Sequence, residues 1–129
     1  MEKEFIHPSS MGFTNAVSVT AGGAKTIYVS GQVGFADGKV PESIGEQADI
    51  AFKNLVAELE AAGAKVEDVV KINTYIKELD GEKAKAVAEA KAKHFTQENQ
   101  PASTWIGVTS LIFPNLLVEV EAIAVIEAD

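Results

Sequence analysis

Leu116-Leu-Val-Glu-Val-Glu-Ala-Ile-Ala-Val125 reads as a β-strand with two unlike faces. Alternation puts Leu116, Val118, Val120, Ala122 and Ala124 on one side, and Leu117, Glu119, Glu121, Ile123 and Val125 on the other. The first face is wholly apolar and must be covered by helices. The second sets two carboxylates among apolar neighbours. They stand either at a solvent edge or against hydrogen-bond donors in a pocket, because an unpaired buried charge is too costly. Upstream, Pro101-Ala-Ser-Thr-Trp-Ile-Gly-Val108 is another strand-like run and carries the chain's single Trp.

Outward from this stretch, the remaining elements follow from local signals. Asn99-Gln-Pro101 stops a helix that Asp80 caps and that runs to about Phe95. Its thin apolar stripe is Ala84, Val87, Ala88, Ala92 and Phe95. Val69 to Lys77 alternates as a strand, with Val70, Ile72, Thr74 and Ile76 against Lys71, Asn73, Tyr75 and Lys77. Ser43-Ile-Gly-Glu46 is a capping box, so a helix begins at Ile44. Ala48, Phe52, Leu55, Leu59 and Ala62 keep its spacing, and Gly63 stops it. Asp37-Gly38 and Pro41 mark a loop. Thr26 to Gly34 is a strand hairpinned through Ala21-Gly-Gly-Ala-Lys25 to an earlier one, Phe13 to Thr20. Residues before Phe13, including His7-Pro8, read as an irregular lead-in.

The resulting order is ββαβαββ in one domain spanning residues 1–129. It is an α+β fold with one mixed sheet and two helices on one face. The other face still carries Ile27, Val29, Val33, Tyr75, Leu117, Ile123 and Val125, too much apolar surface for solvent. A closed oligomer whose sheets pack together would cover it.

Hydrophobic residues make up 47% and charged residues 23% of the chain, ordinary values for a globular domain. No run approaches membrane-spanning length and no signal-like apolar segment follows Met1, so the expected setting is the cytoplasm. With no cysteine, disulfides, thiolate catalysis and cysteine metal sites are excluded. Net charge is −8, and all 11 basic residues are Lys. Such a chain repels a phosphate backbone on average and lacks the side chain best suited to gripping one.

Pro-Ala-x-(Ser/Thr), a loop, then Val118-Glu-Val-Glu-Ala-Ile-Ala-Val125 resembles the C-terminal signature of the RidA/YjgF family. Its members are imine deaminases, called L-PSP endoribonucleases in older naming. Ser30-Gly-Gln32 and the order of elements along almost the whole chain fit the same pattern. The resemblance implies a chorismate-mutase-like fold, and a homotrimer whose sheets line a central barrel, with small-molecule clefts between subunits. It also implies that Glu119 is the carboxylate that positions the hydrolytic water. Ser30 and the Gly31 N–H would face the ligand, and Phe13 stands where the family has a tyrosine. One position departs from the pattern: after Pro-Ala, the deaminating members have Arg, which clamps the substrate carboxylate, and this chain has Ser103. A guanidinium fork has become a neutral hydroxyl. No Lys lies in the segments expected to wall the cleft, 13–17, 30–34 and 103–107 with Glu119.

Each of these residues also has a plainer reading. Without the resemblance, Glu119 is a surface or structural carboxylate, and Gly31 is a glycine tolerated at a bulge. Trp105 serves a core or interface as readily as a pocket. Ser103 and Thr104 offer neutral donors beside it. Glu121 reads as structural. His7 and His94 are isolated, and no His/Asp/Glu spacing suggests a metal. No nucleotide-binding glycine motif follows a strand.

Two functions compete. One is cofactor-free hydrolysis of an imine or enamine to a carbonyl and ammonia, with poor activity on simple 2-imino acids because Ser103 replaces Arg. The other is a non-catalytic trimer that binds or senses a small metabolite. RNA cleavage, suggested only by the older family label, would require an acidic, Arg-free chain to hold a polyanion.

Overall fold

The computed structural model describes residues 1–129. The elements are β1 (Glu2–Pro8), β2 (Thr14–Ala21), β3 (Ala24–Val33), α1 (Ile44–Ala61), β4 (Val69–Lys77), α2 (Gly81–His94), β5 (Ala102–Val108) and β6 (Val118–Glu127). A short 3-10 turn, Val66–Asp68, precedes β4. All six strands form one sheet in the order β1-β2-β3-β6-β4-β5. β6 runs antiparallel to both β3 and β4, while β5 runs parallel to β4. Parallel neighbours need a crossover, and α2 supplies it between β4 and β5. α1 does the same from β3 to β4, and β6 fills the gap left between them.

The helix signals act where the sequence places them. Ser43 Oγ accepts from the Glu46 N–H at 3.2 Å, and Asp80 accepts from the Lys83 N–H at 2.8 Å. Gly63 takes the left-handed backbone, φ 91°, that ends α1. Phe52, Leu55 and Leu59 of α1 then bury themselves with Ile72, Ile76, Val118 and Val120 of the sheet. The apolar face of the last strand is buried as expected, from Leu116 through Ala124. No helix is long and apolar enough to cross a membrane.

Four expectations need correction. The lead-in is a strand, β1, paired with β2 at the sheet edge. Only its Ile6 is buried, so it shows no apolar period, and its Glu2, Lys3 and Glu4 are the kind of charge that protects an edge. Ile27 and Val29 belong to the core, at 0% and 4% exposure, because they pair with Ala124 and Ala122 on the helix-covered face. Tyr28 is the residue on the bare face there. Val70 is exposed because a bulge in β4 sets Val69 and Lys71 against the adjacent Ala124 and Ile123. Along α2, Val87, Ala90 and Phe95 are buried, whereas Ala88 and Ala92 are exposed. An alanine-rich helix has too little contrast between faces to reveal its own orientation.

The bare face is real. Cross-strand register lines up Phe5, Val17, Tyr28 and Ile123 on it, with Thr26 and Val125 in the next row. Phe5 is 60%, Tyr28 49% and Val125 40% exposed.

Candidate functional site

The site begins at an irregularity in β3. Between Val29 and Gln32, two residues of β3, Ser30 and Gly31, oppose the single residue Glu121 of β6. Such a bulge re-aims the chain locally. It also returns Val33 to the bare face, opposite Glu119. A Cβ added at Gly31 would overlap the Glu119 carboxylate. The glycine is therefore the space in which Glu119 lies, and it sits at the bulge. The Ser30 hydroxyl donates to the Thr14 carbonyl at 2.5 Å, leaving its oxygen free to accept. Thr14 follows Phe13, whose ring is exposed at the start of β2. The fold thus gathers Phe13, Ser30, Gly31 and Glu119 at one end of the neighbouring strands β2, β3 and β6.

The two glutamates have opposite surroundings. Glu121 accepts from the Tyr75 hydroxyl at 2.5 Å and from Asn73 Nδ2 at 3.1 Å, both at Oε1. Tyr75 is in register with Glu119, yet its hydroxyl goes to Glu121, so no side-chain donor is left for Glu119. Burial pushes the Glu119 carboxyl above its ordinary range, and the charge on Glu121 adds to this. Tyr75 is pushed up to about 12, first by its hydrogen bond to Glu121, then by burial and the charges of both glutamates. An unpartnered, half-buried carboxylate with raised proton affinity is suited to hold a water and take its proton. Tyr75 and Asn73 escaped the reading from sequence, although their alternation on β4 does place them on the glutamates' face.

Ser103, Thr104 and Trp105 stand apart from this group within one chain. They lie on β5, the sheet edge, with β4 between them and β6. Ser103 is in register with Ile72, on the helix-covered side, but is exposed at the edge. Trp105, opposite Thr74, packs partly against the core. Thr104, opposite Asn73, shares the face of the glutamates. Lys71 Nζ donates to Thr104 Oγ1 at 2.7 Å. A lysine therefore does reach the segment after Pro101, from a neighbouring strand rather than from a wall segment.

No group of three or more His, Cys, Asp and Glu gathers as a metal ligand set. His7 bonds Glu58 at 2.9 Å and His94 bonds Asp49 at 2.8 Å. A groove of about 510 Å³ between α1 and α2 is lined by Glu46, Asp49, Glu89 and Lys93, on the opposite side of the sheet from Glu119. It has no part in the glutamate site.

Fold and site together define a class: a small α+β domain with helices on one face and, on the other, a free carboxylate over a glycine bulge. The family model described as Endoribonuclease L-PSP matches residues 8–126, and the chain belongs to this family, also known as RidA/YjgF. A 2-iminobutanoate/2-iminopropanoate deaminase of Dermatophagoides farinae is 37% identical over 124 residues, covering 93% of this chain and 91% of that protein. The Escherichia coli K12 protein of the same name is 38% identical over 104 residues, 77% of this chain and 78% of its own. Among solved structures, RidA from an Antarctic Psychrobacter has a TM-score of 0.77 at 31% identity, covering 92% of this chain and 93% of that one. E. coli TdcF with bound serine has a TM-score of 0.79 at 26% identity, covering 93% of each.

Proposed function

We propose that the protein hydrolyses an imine or enamine of a small metabolite to a carbonyl compound and ammonia, without a cofactor. The observation that carries this reading is the free Glu119 carboxylate above Gly31. In the proposed reaction, Glu119 holds a water and takes its proton as the oxygen adds to the C=N carbon. The nitrogen gains that proton, and collapse of the tetrahedral carbinolamine forms C=O as the C–N bond breaks. In that collapse the carbinolamine hydroxyl gives its proton to Glu119, which passes it to the nitrogen, so neutral ammonia leaves and Glu119 is returned as a carboxylate. Imines of this kind hydrolyse readily, so positioning and one general base suffice. Ser30 and the Gly31 N–H orient the substrate beside Phe13. Ser103, Thr104 and Trp105 join them from the exposed edge strand of a neighbouring subunit, since β4 separates the two groups within one chain. The assembly is a homotrimer with clefts between subunits, its bare sheet faces packed about a central barrel. The proposed setting is the cytoplasm, to be checked by fractionation because a Saccharomyces cerevisiae relative is named as mitochondrial.

Simple 2-imino acids are turned over poorly. A charged hydrogen-bonded pair lost from a desolvated site costs roughly a few kcal/mol, about two decades or more in rate. Lys71 brings an ammonium to Thr104, but not the planar fork that matches a carboxylate. The test is ammonia release from imines generated in situ, 2-imino acids by an amino-acid oxidase and imines without a carboxylate by an amine oxidase. Activity on a non-carboxylate imine should vanish in Glu119→Ala, and activity on 2-iminopropanoate should rise in Ser103→Arg. Wild-type turnover of 2-iminopropanoate equal to that of an Arg-bearing relative would place the anchor elsewhere, with Lys71→Met the next variant to assay. Saturable ligand binding without turnover by any variant would favour the non-catalytic binder, a reading supported by the neutral Ser103 and by the serine bound to TdcF.

A further inference from the structure

Glu121 has a second role that follows from where its donors sit. Two carboxylates on one strand face lie about 7 Å apart, close enough to interact when half-buried. Two neutral donors converge on one oxygen of Glu121, the Tyr75 hydroxyl and the Asn73 amide. Hydrogen bonds to a carboxylate favour its ionised form without cancelling its charge. Within one chain, the cations on this face are turned to other partners, and Lys71 of β4 bonds Thr104 Oγ1 at 2.7 Å. Gly31 and Val33 face it from β3, Leu117 flanks it on β6, and 109–115 contain no ionisable side chain. On β4, Tyr75 is neutral and Lys77 directs its ammonium to the Pro114 carbonyl at 3.1 Å. Glu121 is thus the other carboxylate on the glutamates' face of β6, two residues along the strand.

We propose that Glu121, locked by Tyr75 and Asn73 on the same strand face, is a positioning residue that adds to burial in holding a proton on Glu119, so that Glu119 exchanges a proton readily with its water. This rests on the hydrolytic reading for its purpose, but the electrostatic coupling is independent of turnover. The experiment is an NMR titration of side-chain carboxyls in protein carrying ¹³C-labelled Glu, with Glu119 assigned through Glu119→Gln. In Glu121→Gln, which keeps an acceptor for both donors, the Glu119 midpoint should fall, because the neighbouring charge is gone. Glu121→Asp, which keeps the charge, should retain most of the high midpoint. An unchanged Glu119 midpoint in Glu121→Gln overturns the proposal, as does an equal fall in Glu121→Asp. If the protein deaminates, the acid limb of its pH profile should move with the Glu119 midpoint across these variants. A coupled titration in a protein with no turnover would leave the positioning intact and sink only the hydrolytic reading.

Discussion

At the scale of single residues, the site depends on an atom that is missing. Glu119 occupies the volume a Cβ at position 31 would take, and only the end of a flexible side chain stands in its way. Gly31→Ala should therefore fold, with the Glu119 carboxylate swung aside. We expect its ammonia release to drop by about two decades, since a displacement of about 1 Å at a reacting group costs that much. A melting temperature within a few degrees of wild type would separate this from unfolding, and undiminished turnover would show that Glu119 works from another position. Proton linkage gives a second expectation. A carboxyl with a raised folded-state pKa stabilises the fold below its unfolded value, and that stability is lost as pH rises through the folded value. Glu119→Gln should remove this loss and gain stability relative to wild type above the carboxylate range. The same sign applies to Tyr75: stability falls between about pH 10 and pH 12, and Tyr75→Phe should flatten that slope in urea unfolding.

At the scale of elements, Gln47 ties three segments to one another. It is buried on α1, donates to the carbonyls of Pro41 at 2.8 Å and Asn115 at 2.9 Å, and accepts from the Leu117 N–H at 2.8 Å. These bonds hold the loop before α1 and the entry to β6, two residues ahead of Glu119. Gln47→Leu preserves bulk but strands an N–H and two carbonyls, a loss of about 2–4 kcal/mol. Urea unfolding measures it, and a change below about 1 kcal/mol would mean that water takes over these bonds. Gly34 backs the same helix: a Cβ there would lie 2.6 Å from the Gln47 Cα, backbone that cannot swing aside. Gly34→Ala should push α1 off β3 and destabilise more than Gly31→Ala does.

At the scale of the whole molecule, the sheet has one face too many. α1 and α2 cover one side, and Phe5, Tyr28, Ile123 and Val125 stand on the other with no helix over them. Solvent does not favour so broad an apolar surface, and closed assembly of identical copies removes it. Light scattering at micromolar concentration should return three times the 13.7 kDa chain mass. Ile123→Asp should shift the protein toward monomer and reduce turnover together with assembly. A wild-type monomer with full activity would show that one chain completes the site alone.

Local chemistry was enough to determine both helices, through Ser43, Glu46, Gly63 and Asp80, and the two-faced character of the last strand. These signals act within a few residues and need no partner. The family signature and the position of Glu119 were legible for the same reason. What tertiary structure alone decided is which face each paired strand turns inward. Alternation separates Ile27 and Val29 from Tyr28 but does not say which set is buried; pairing with Ala124 and Ala122 does. The bulge at Ser30-Gly31 exists only against β6, and it reverses the faces between Val29 and Val33. β1 has almost no apolar pattern of its own and becomes a strand by pairing with β2. The Tyr75–Glu121 bond joins residues 46 apart in sequence, and Lys71 reaches Thr104 across a crossover of 33. No short-range pattern encodes such meetings, because they are set by strand register, and register is a property of the whole sheet.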